Sequence, residues 1–284
     1  MYRALVRRTA HGARAASTLR VAAVNFRVSE NRGDNLRRAA ELIGRAAREG
    51  AQFVALPECF TGKYGVAHFK THAEPVSTEP NAESGSGVLA AAALGYGVTT
   101  TGGVVEAVGD TLYNAIPAYG PDGTLIANYR KVHLSRVMGV TSEDDVFAAG
   151  EERMVYPAGD DFVVGAACCF DLRFPQWLAR YGPRDHPVDV VAAPSAFLDS
   201  TGQDHWDLLL RRTALDGQCY VVAPNVAYDE GDDVPLHGRS AVVDPWGNIL
   251  AQTAPGADDL AVADVTREKI DDVRRKLPLA AWPE

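Results

Sequence analysis

Val163-Val164-Gly165-Ala166-Ala167-Cys168-Cys169-Phe170-Asp171-Leu172-Arg173-Phe174-Pro175 is an apolar run that ends abruptly in charge. Its Val- and Ala-rich first half, bounded by charged residues, reads as a buried strand. The run then breaks into Asp-Leu-Arg-Phe-Pro, where Pro175 can open a helix because the first helical position needs no amide hydrogen. A cysteine at such a strand-to-helix turn can present its sulfur to a cleft while neighbouring backbone amides stay free to hold an oxyanion. The competing reading is packing, since free cysteine is among the most buried residue types. The rest of the chain has to decide between them.

At 284 residues and 46% hydrophobic, the chain can bury a large core as one big domain or two small ones. Its four cysteines, two of them adjacent, do not form a disulfide framework, which points to a reducing, intracellular compartment. The absence of a Cys-x2-Cys pair argues against zinc, and neither a metal nor a cofactor is expected. The apolar runs are far too short for a membrane span. A net charge of −9 and a pI of about 5.3 would repel a nucleic-acid backbone.

The first twenty residues differ in composition. They hold Arg3, Arg7, Arg8, Arg14 and Arg20 among Ala and Ser, with no acid before Glu30. This Arg-rich, acid-poor stretch has the composition of a mitochondrial or other organellar transit peptide; the alternative is a disordered basic N-terminus on a cytoplasmic protein. The expected division is therefore residues 1–19 as leader and 20–284 as the folded domain.

Leu19 to Phe26 alternates and should be the first strand. Asn31 to Arg48 places Leu36, Ala39, Ala40, Ile43, Ala46 and Ala47 on one helical face, and Gln52 to Leu56 reads as a short parallel-type strand. Strand–helix–strand is the βαβ signature, and Pro57-Glu58-Cys59-Phe60 falls at a strand's carboxyl end, where open α/β sheets place their ligands. A long polar loop (61–86) and a helix of small residues (87–94) come next. Strands are then expected over 98–105, 111–118 and 124–133, the last two joined by the turn Tyr119-Gly120-Pro121-Asp122-Gly123. Residues 135–152 read as irregular. Beyond the cysteine stretch come a helix over 176–181, strands over 188–193 and 219–224 around a helix at 204–216, and strands at 241–243, 249–252 and 260–265. A charged helix over 268–276 closes the series. Paired strands alternating with helices suggest two sheets packed face to face with helices outside.

Glu58, Lys131 and Cys169 each stand at a strand end. Each also has a plain reading: a loop cap, a solvated edge lysine, a core thiol. The sequence around them, however, resembles the three signatures of the nitrilase (carbon–nitrogen hydrolase) superfamily, in order: Leu56-Pro57-Glu58-Cys59-Phe60, Tyr129-Arg130-Lys131-Val132-His133-Leu134 and Cys169-Phe170-Asp171-Leu172-Arg173-Phe174. Supporting segments resemble it too: Leu112-Tyr113-Asn114, Gly120-Pro121-Asp122-Gly123, Thr201-Gly202-Gln203-Asp204-His205-Trp206 and Val243-Asp244-Pro245-Trp246-Gly247. The similarity runs from about Arg20 to about Pro278. Pro57-Glu58-Cys59-Phe60-x3-Tyr64-Gly65 is most similar to the ω-amidase branch, with deaminated-glutathione amidases as its nearest relatives.

The resemblance implies an α/β fold, an αββα four-layer sandwich, and a homodimer that acts on a small-molecule amide. It implies Glu58 as general base, Cys169 as nucleophile and Lys131 as electrostatic stabiliser. A thiolate favoured by Lys131 would attack the amide, and the Phe170 backbone amide would share the oxyanion with Lys131. Glu143 matches the family's second glutamate, which orients the lysine or positions substrate. Tyr64, Ser195 and Arg173 are candidate substrate contacts; Arg173 could grip a carboxylate or instead pair with Asp171. Cys168 is assigned to packing, and a neutral residue in place of Lys131 is expected to leave the fold intact. The implied reaction converts α-ketoglutaramate or succinamate to a dicarboxylate and ammonia. The alternatives are a deaminated-glutathione amidase and a catalytically silent binding module of the same fold. Two departures bear on this: a short segment between Leu134 and Glu143, which helps wall the pocket, and an ending at Trp282-Pro283-Glu284 without the branch's basic tail.

Overall fold

The structure, a computed structural model, describes residues 17–137 and 141–281. The layering is legible in β1 (Thr18–Phe26). Successive side chains of a strand point to opposite faces. Leu19, Val21 and Ala23 enter one hydrophobic core, while Ala22, Val24 and Phe26 enter another. A strand buried on both faces belongs to a sheet covered on both sides.

The outer core is closed by α1 (Arg32–Arg48), whose Leu36, Ala39 and Ile43 are buried and whose N-cap Asn31 accepts from the Asp34 amide at 3.1 Å. Burying such a stripe, rather than helix propensity, supplies most of a helix's stability. β2 (Phe53–Ala55) runs parallel to β1. The loop expected over 61–86 contains a short helix, α2 (Val66–Phe69), continued by a 3-10 turn over Lys70–His72. α3 (Gly85–Tyr96) packs its small residues against α1, the two helices forming the outer layer.

The strand expected over 98–105 is divided into β3 (Thr99–Thr101) and β4 (Val104–Val108). The break falls at Gly102-Gly103, where a Cβ on Gly103 would lie 2.5 Å from the Cα of Glu58. Only a glycine lets the two backbones approach so closely. β5 (Thr111–Tyr119) and β6 (Leu125–Arg130) form the expected hairpin, and two short strands, β7 (Arg136–Val137) and β8 (Thr141–Ser142), pair with each other.

The second sheet begins with β9 (Val155–Ala158), which the sequence reading missed because Pro157 interrupts a short run; it pairs antiparallel with β10 (Phe162–Ala166). β10 carries the cysteine stretch and is followed by α4 (Pro175–Leu178) with Pro175 at the helix start, as expected. β11 (Val190–Ala192), α5 (Asp199–Gly217), β12 (Tyr220–Ala223) and β13 (Asn225–Val226) follow. The series ends in β14 (Ala241–Val243), β15 (Ile249–Gln252), β16 (Asp259–Thr266) and α6 (Arg267–Lys276).

One sheet has eight strands, in the order β13-β1-β2-β3-β5-β4, with β16 also on β1 and β6 also on β5. The other has six, β15-β14-β12-β11-β10-β9. Their facing sides share a core of Val21, Phe53, Ile116, Tyr129, Val164 and Ala192, which also takes in Trp206 and Leu210 of α5 and Ile270 of α6. The result is the expected αββα sandwich. The boundary at residue 20 is corrected. Thr18 pairs with Thr266, the Arg267 amide donates to Ser17 O at 3.1 Å, and Leu19 is fully inside the core. The leader expected over 1–19 lies, up to residue 16, outside the described residues, as do residues 282–284.

Candidate active site

Three chain segments deliver the expected residues to one end of the sandwich. Glu58 follows β2 of the first sheet, Lys131 follows β6, and Cys169 follows β10 of the second sheet. Glu58 and Lys131 are fully buried, and Lys131 Nζ lies 2.7 Å from Glu58 Oε1. Glu143, also fully buried, sits 2.8 Å from Nζ on the other side. Lys131 is held from its own backbone as well. Its amide donates to Asn114 O at 2.8 Å and its carbonyl accepts from Gly150 N at 2.8 Å, and a Cβ on Gly150 would collide with Arg130 O.

Both carboxylates accept several hydrogen bonds, distributed unequally over their oxygens. Glu58 Oε1 accepts from Asn114 Nδ2 at 2.7 Å and from Cys168 Sγ at 3.2 Å in addition to Lys131, while Oε2 accepts from the Ala196 amide at 2.7 Å. Glu143 accepts from Tyr64 Oη, Asn114 Nδ2 and the Ser135 amide at 3.1, 3.0 and 2.6 Å. Burial opposes ionisation of Glu58, but the charge and hydrogen bond of Lys131, with the bonds from Asn114 and Cys168, hold its pKa below the ordinary value. Burial likewise opposes the Lys131 charge, and the two glutamates overcome it, so its pKa is raised well above the usual lysine value. Asn114 was read from sequence only as part of the supporting segment Leu112-Tyr113-Asn114, without a role in the site, and Ser135, one serine in a polar loop, was not singled out.

The cysteine environment corrects one expectation. Burial raises the Cys169 thiol pKa well above normal; the negative charge of Glu58 adds to this, and Lys131 and the Ala196 amide only partly offset it. Two carboxylates against one ammonium leave the pocket net negative, so the resting group is a thiol and its proton must be removed during reaction. Cys169 has φ +40°, a left-handed backbone that costs a non-glycine residue energy and is concentrated at functional turns. Its amide donates to Pro194 O, and the Asp171 amide donates to Cys168 O.

Asp171 ties this turn to the lysine strand. Its Oδ2 accepts from Tyr129 Oη at 2.7 Å and the Cys168 amide at 2.9 Å, and its Oδ1 accepts from the His133 amide at 3.0 Å and lies 2.7 Å from His133 Nδ1. Tyr129 and His133 flank Lys131, so one buried carboxylate sets two active segments relative to each other. Asp171 is therefore not the partner of Arg173. Arg173 places its guanidinium 5.1 Å from the Phe197 ring and 5.8 Å from the Phe170 ring, with Thr201 Oγ1 and His205 Nδ1 each 3.3 Å away. No carboxylate pairs with it among the described residues. Burial depresses its pKa.

A small cavity of about 30 Å³ is lined by Cys169, Phe170 and Arg173 with Tyr64, Ala196 and Phe197. Val137 and Ser135 also reach it, while residues 138–140 of the short wall segment lie outside the described residues. Ser195 does not line it. Its Oγ donates to Ala193 O at 2.9 Å inside the protein, and the next residue, Ala196, faces the cavity instead. Adjacent residues of an extended segment point opposite ways, so the sequence reading was out by one position. Cys168 is fully buried but is more than packing, because its sulfur bonds Glu58. A larger groove of about 530 Å³ around Arg130, Glu151 and Glu152 contains none of these groups. His68 and His72 are spaced like a helical metal pair. Among the described residues, however, no group of three His, Cys, Asp or Glu could hold a metal ion.

A buried Glu–Lys–Glu cluster beside a cysteine on a strained turn, in an αββα sandwich, has a counterpart among known proteins. The carbon–nitrogen hydrolase family profile matches residues 20–275, and the chain belongs to that family. Within it, the chain is similar to the ω-amidase NIT2 of Danio rerio, at 34% identity over 93% of this chain and 94% of that one. It is also similar to the ω-amidase NIT2 of Homo sapiens, at 32% identity over the same shares. Among solved structures, Nit3 of Saccharomyces cerevisiae, a member of branch 10 of the nitrilase superfamily, superposes with a TM-score of 0.80 at 29% identity, covering 95% of this chain and 98% of that one. The CN-hydrolase superfamily protein XC1258 of Xanthomonas campestris shares the fold at a TM-score of 0.83 and 22% identity, covering 94% of this chain and 98% of that one. The protein is a carbon–nitrogen hydrolase acting on amides, similar in sequence to ω-amidases.

Proposed function

We propose that the chain hydrolyses the terminal amide of a short carboxylate-bearing substrate, with α-ketoglutaramate and succinamate as the chemical type, through a thioester on Cys169. The observation that carries the carboxylate is Arg173, a cation on the cavity wall beside the nucleophile with no acid paired to it among the described residues. A substrate carboxylate would supply the missing partner in a bidentate contact.

Glu58 takes the Cys169 proton as sulfur attacks the amide carbon. The oxyanion that forms meets the Phe170 amide and the one Lys131 N–H not bonded to Glu58 or Glu143. Glu58 passes its proton to the departing nitrogen, ammonia leaves, and the thioester remains. Glu58 then removes a proton from water, hydroxide adds to the thioester, and the returned proton frees the Cys169 thiol and the second carboxylate of the product. Glu143 keeps Lys131 charged and in place throughout. The cavity beside Cys169 is small, about 30 Å³. This favours the four- or five-carbon acids over the much longer deaminated glutathione.

The test is Arg173→Gln assayed by ammonia release. A charged contact is worth roughly 1.5–3 kcal/mol, so kcat/KM for succinamate should fall about 10- to 100-fold. An uncharged amide of the same length should lose far less. Equal losses on both, or losses explained by a lower melting temperature, would move the carboxylate site elsewhere.

A further inference from the structure

We infer that Cys168, the thiol next to the nucleophile, is a positioning residue that holds the general base Glu58 so that only one of its two oxygens is left to react. Three donors converge on Oε1: Lys131 Nζ and Asn114 Nδ2 at 2.7 Å, and Cys168 Sγ at 3.2 Å. A carboxylate oxygen has about two lone-pair sites, so Oε1 is saturated. Oε2 takes one donor, the Ala196 amide at 2.7 Å, and that same amide faces the Cys169 sulfur. Oε2 therefore keeps an open lone pair, and rotation that would exchange the oxygens is blocked by the three bonds to Oε1.

Cys168 can do this because its backbone is fixed from behind. Its amide donates to Asp171 Oδ2 and its carbonyl accepts from the Asp171 amide, so the sulfur has no freedom to follow Glu58 elsewhere. The sulfur is fully buried, and burial with the charge of Glu58 raises its thiol pKa well above normal. It keeps its proton and acts as a donor, and Cys169, not Cys168, is the thiol that lines the cavity. The titratable groups facing Glu58 are Lys131 and Glu143 from the lysine strand and the wall segment, Cys168 and Cys169 from the turn, and Cys59 and Tyr64 from its own segment. Of these, Lys131 and Cys168 donate directly to its carboxylate.

Packing and donation make opposite predictions for two substitutions. Valine keeps the apolar volume of Cys168 and loses the donor, while serine keeps a donor and loses some apolar volume. If Cys168 donates, Cys168→Val lowers kcat by roughly 5- to 20-fold with KM little changed, because the base is no longer aligned. Losing a bond to the ionised form also raises the Glu58 pKa, so the acid limb of the kcat/KM profile moves up by roughly half a pH unit to one unit. Cys168→Ser should recover most of the lost kcat and return the limb toward its original position. An acid limb that stays put in Cys168→Val, or a Val variant as active as the parent, overturns the inference. If the serine variant does not fold, the limb position of the valine variant against the parent decides alone. The inference rests on Glu58 being the base. Turnover retained in Glu58→Gln would remove that reading itself, whereas a dead Glu58→Gln beside an unaltered Cys168→Val removes only this one.

Discussion

Lys131→Met should damage the fold as well as the chemistry, contrary to what its sequence context suggests. Met has nearly the volume of Lys, so no cavity opens, but the ammonium it removes lies between two fully buried carboxylates at 2.7 and 2.8 Å. Taking away one member of a buried ion pair leaves an uncompensated charge and costs about 3–5 kcal/mol. For a chain of this length a loss of 1 kcal/mol lowers Tm by about 2–4 °C, so the variant should melt roughly 6–20 °C lower at neutral pH. The sign of the pH dependence follows. Without Lys131, burial is left to raise the folded pKa of Glu58 above its unfolded value. The penalty is absent below the unfolded pKa and grows as pH rises from there to the folded one, so the Tm gap between variant and parent should narrow on acidification. Lys131→Met with Glu143→Gln should recover much of the Tm without recovering turnover, because the oxyanion donor is still missing. Its loss alone should lower kcat by about 10²-fold or more. Calorimetry across pH and ammonia release measure the two effects separately. A single variant whose Tm stays within about 2 °C of the parent at neutral pH would refute the buried-charge argument. A loss confined to KM would make Lys131 a ground-state anchor.

Cys169→Ala should abolish ammonia release. In the parent enzyme, alkylation of Cys169 by a small neutral reagent should keep accelerating as pH rises past the usual thiol range, because burial and Glu58 hold the proton on sulfur; a rate plateau at neutral pH would show a resting thiolate instead. Gly103→Ala places a Cβ 2.5 Å from the Glu58 Cα and 2.6 Å from the Cys59 amide nitrogen, neither of which can swing away. A backbone shift near 1 Å at the base should lower kcat about 10²-fold, and a fall under threefold in a folded variant would show that the turn is compliant. A chain begun at Arg20 loses Thr18 and Leu19 from β1, and loss of the buried Leu19 side chain alone should cost about 2–5 kcal/mol of stability in denaturant melts. Unchanged stability would place the domain boundary back at residue 20.

What could be read from the chain was set by local physics. Alternation in Leu19 to Phe26, the apolar stripe Leu36-Ala39-Ile43 and the break before Pro175 are encoded within a few residues of themselves, and they fixed the strands, the helix and the turn that presents Cys169. The segments around Glu58, Lys131 and Cys169 were recognisable because each catalytic residue type sits inside its own short signature. Three-dimensional structure alone decided which side chains meet. Cys168 reaches Glu58 across 110 residues, Ala196 reaches it across 138, and Asp171 turns to Tyr129 and His133 rather than to Arg173 two positions away. A one-residue change of register moves a side chain to the opposite face, which is why Ser195 was named where Ala196 lines the cavity. Burial also changed the chemistry, since the same Lys131 that should have favoured a thiolate is outweighed by two carboxylates and the loss of water, and the nucleophile rests as a thiol.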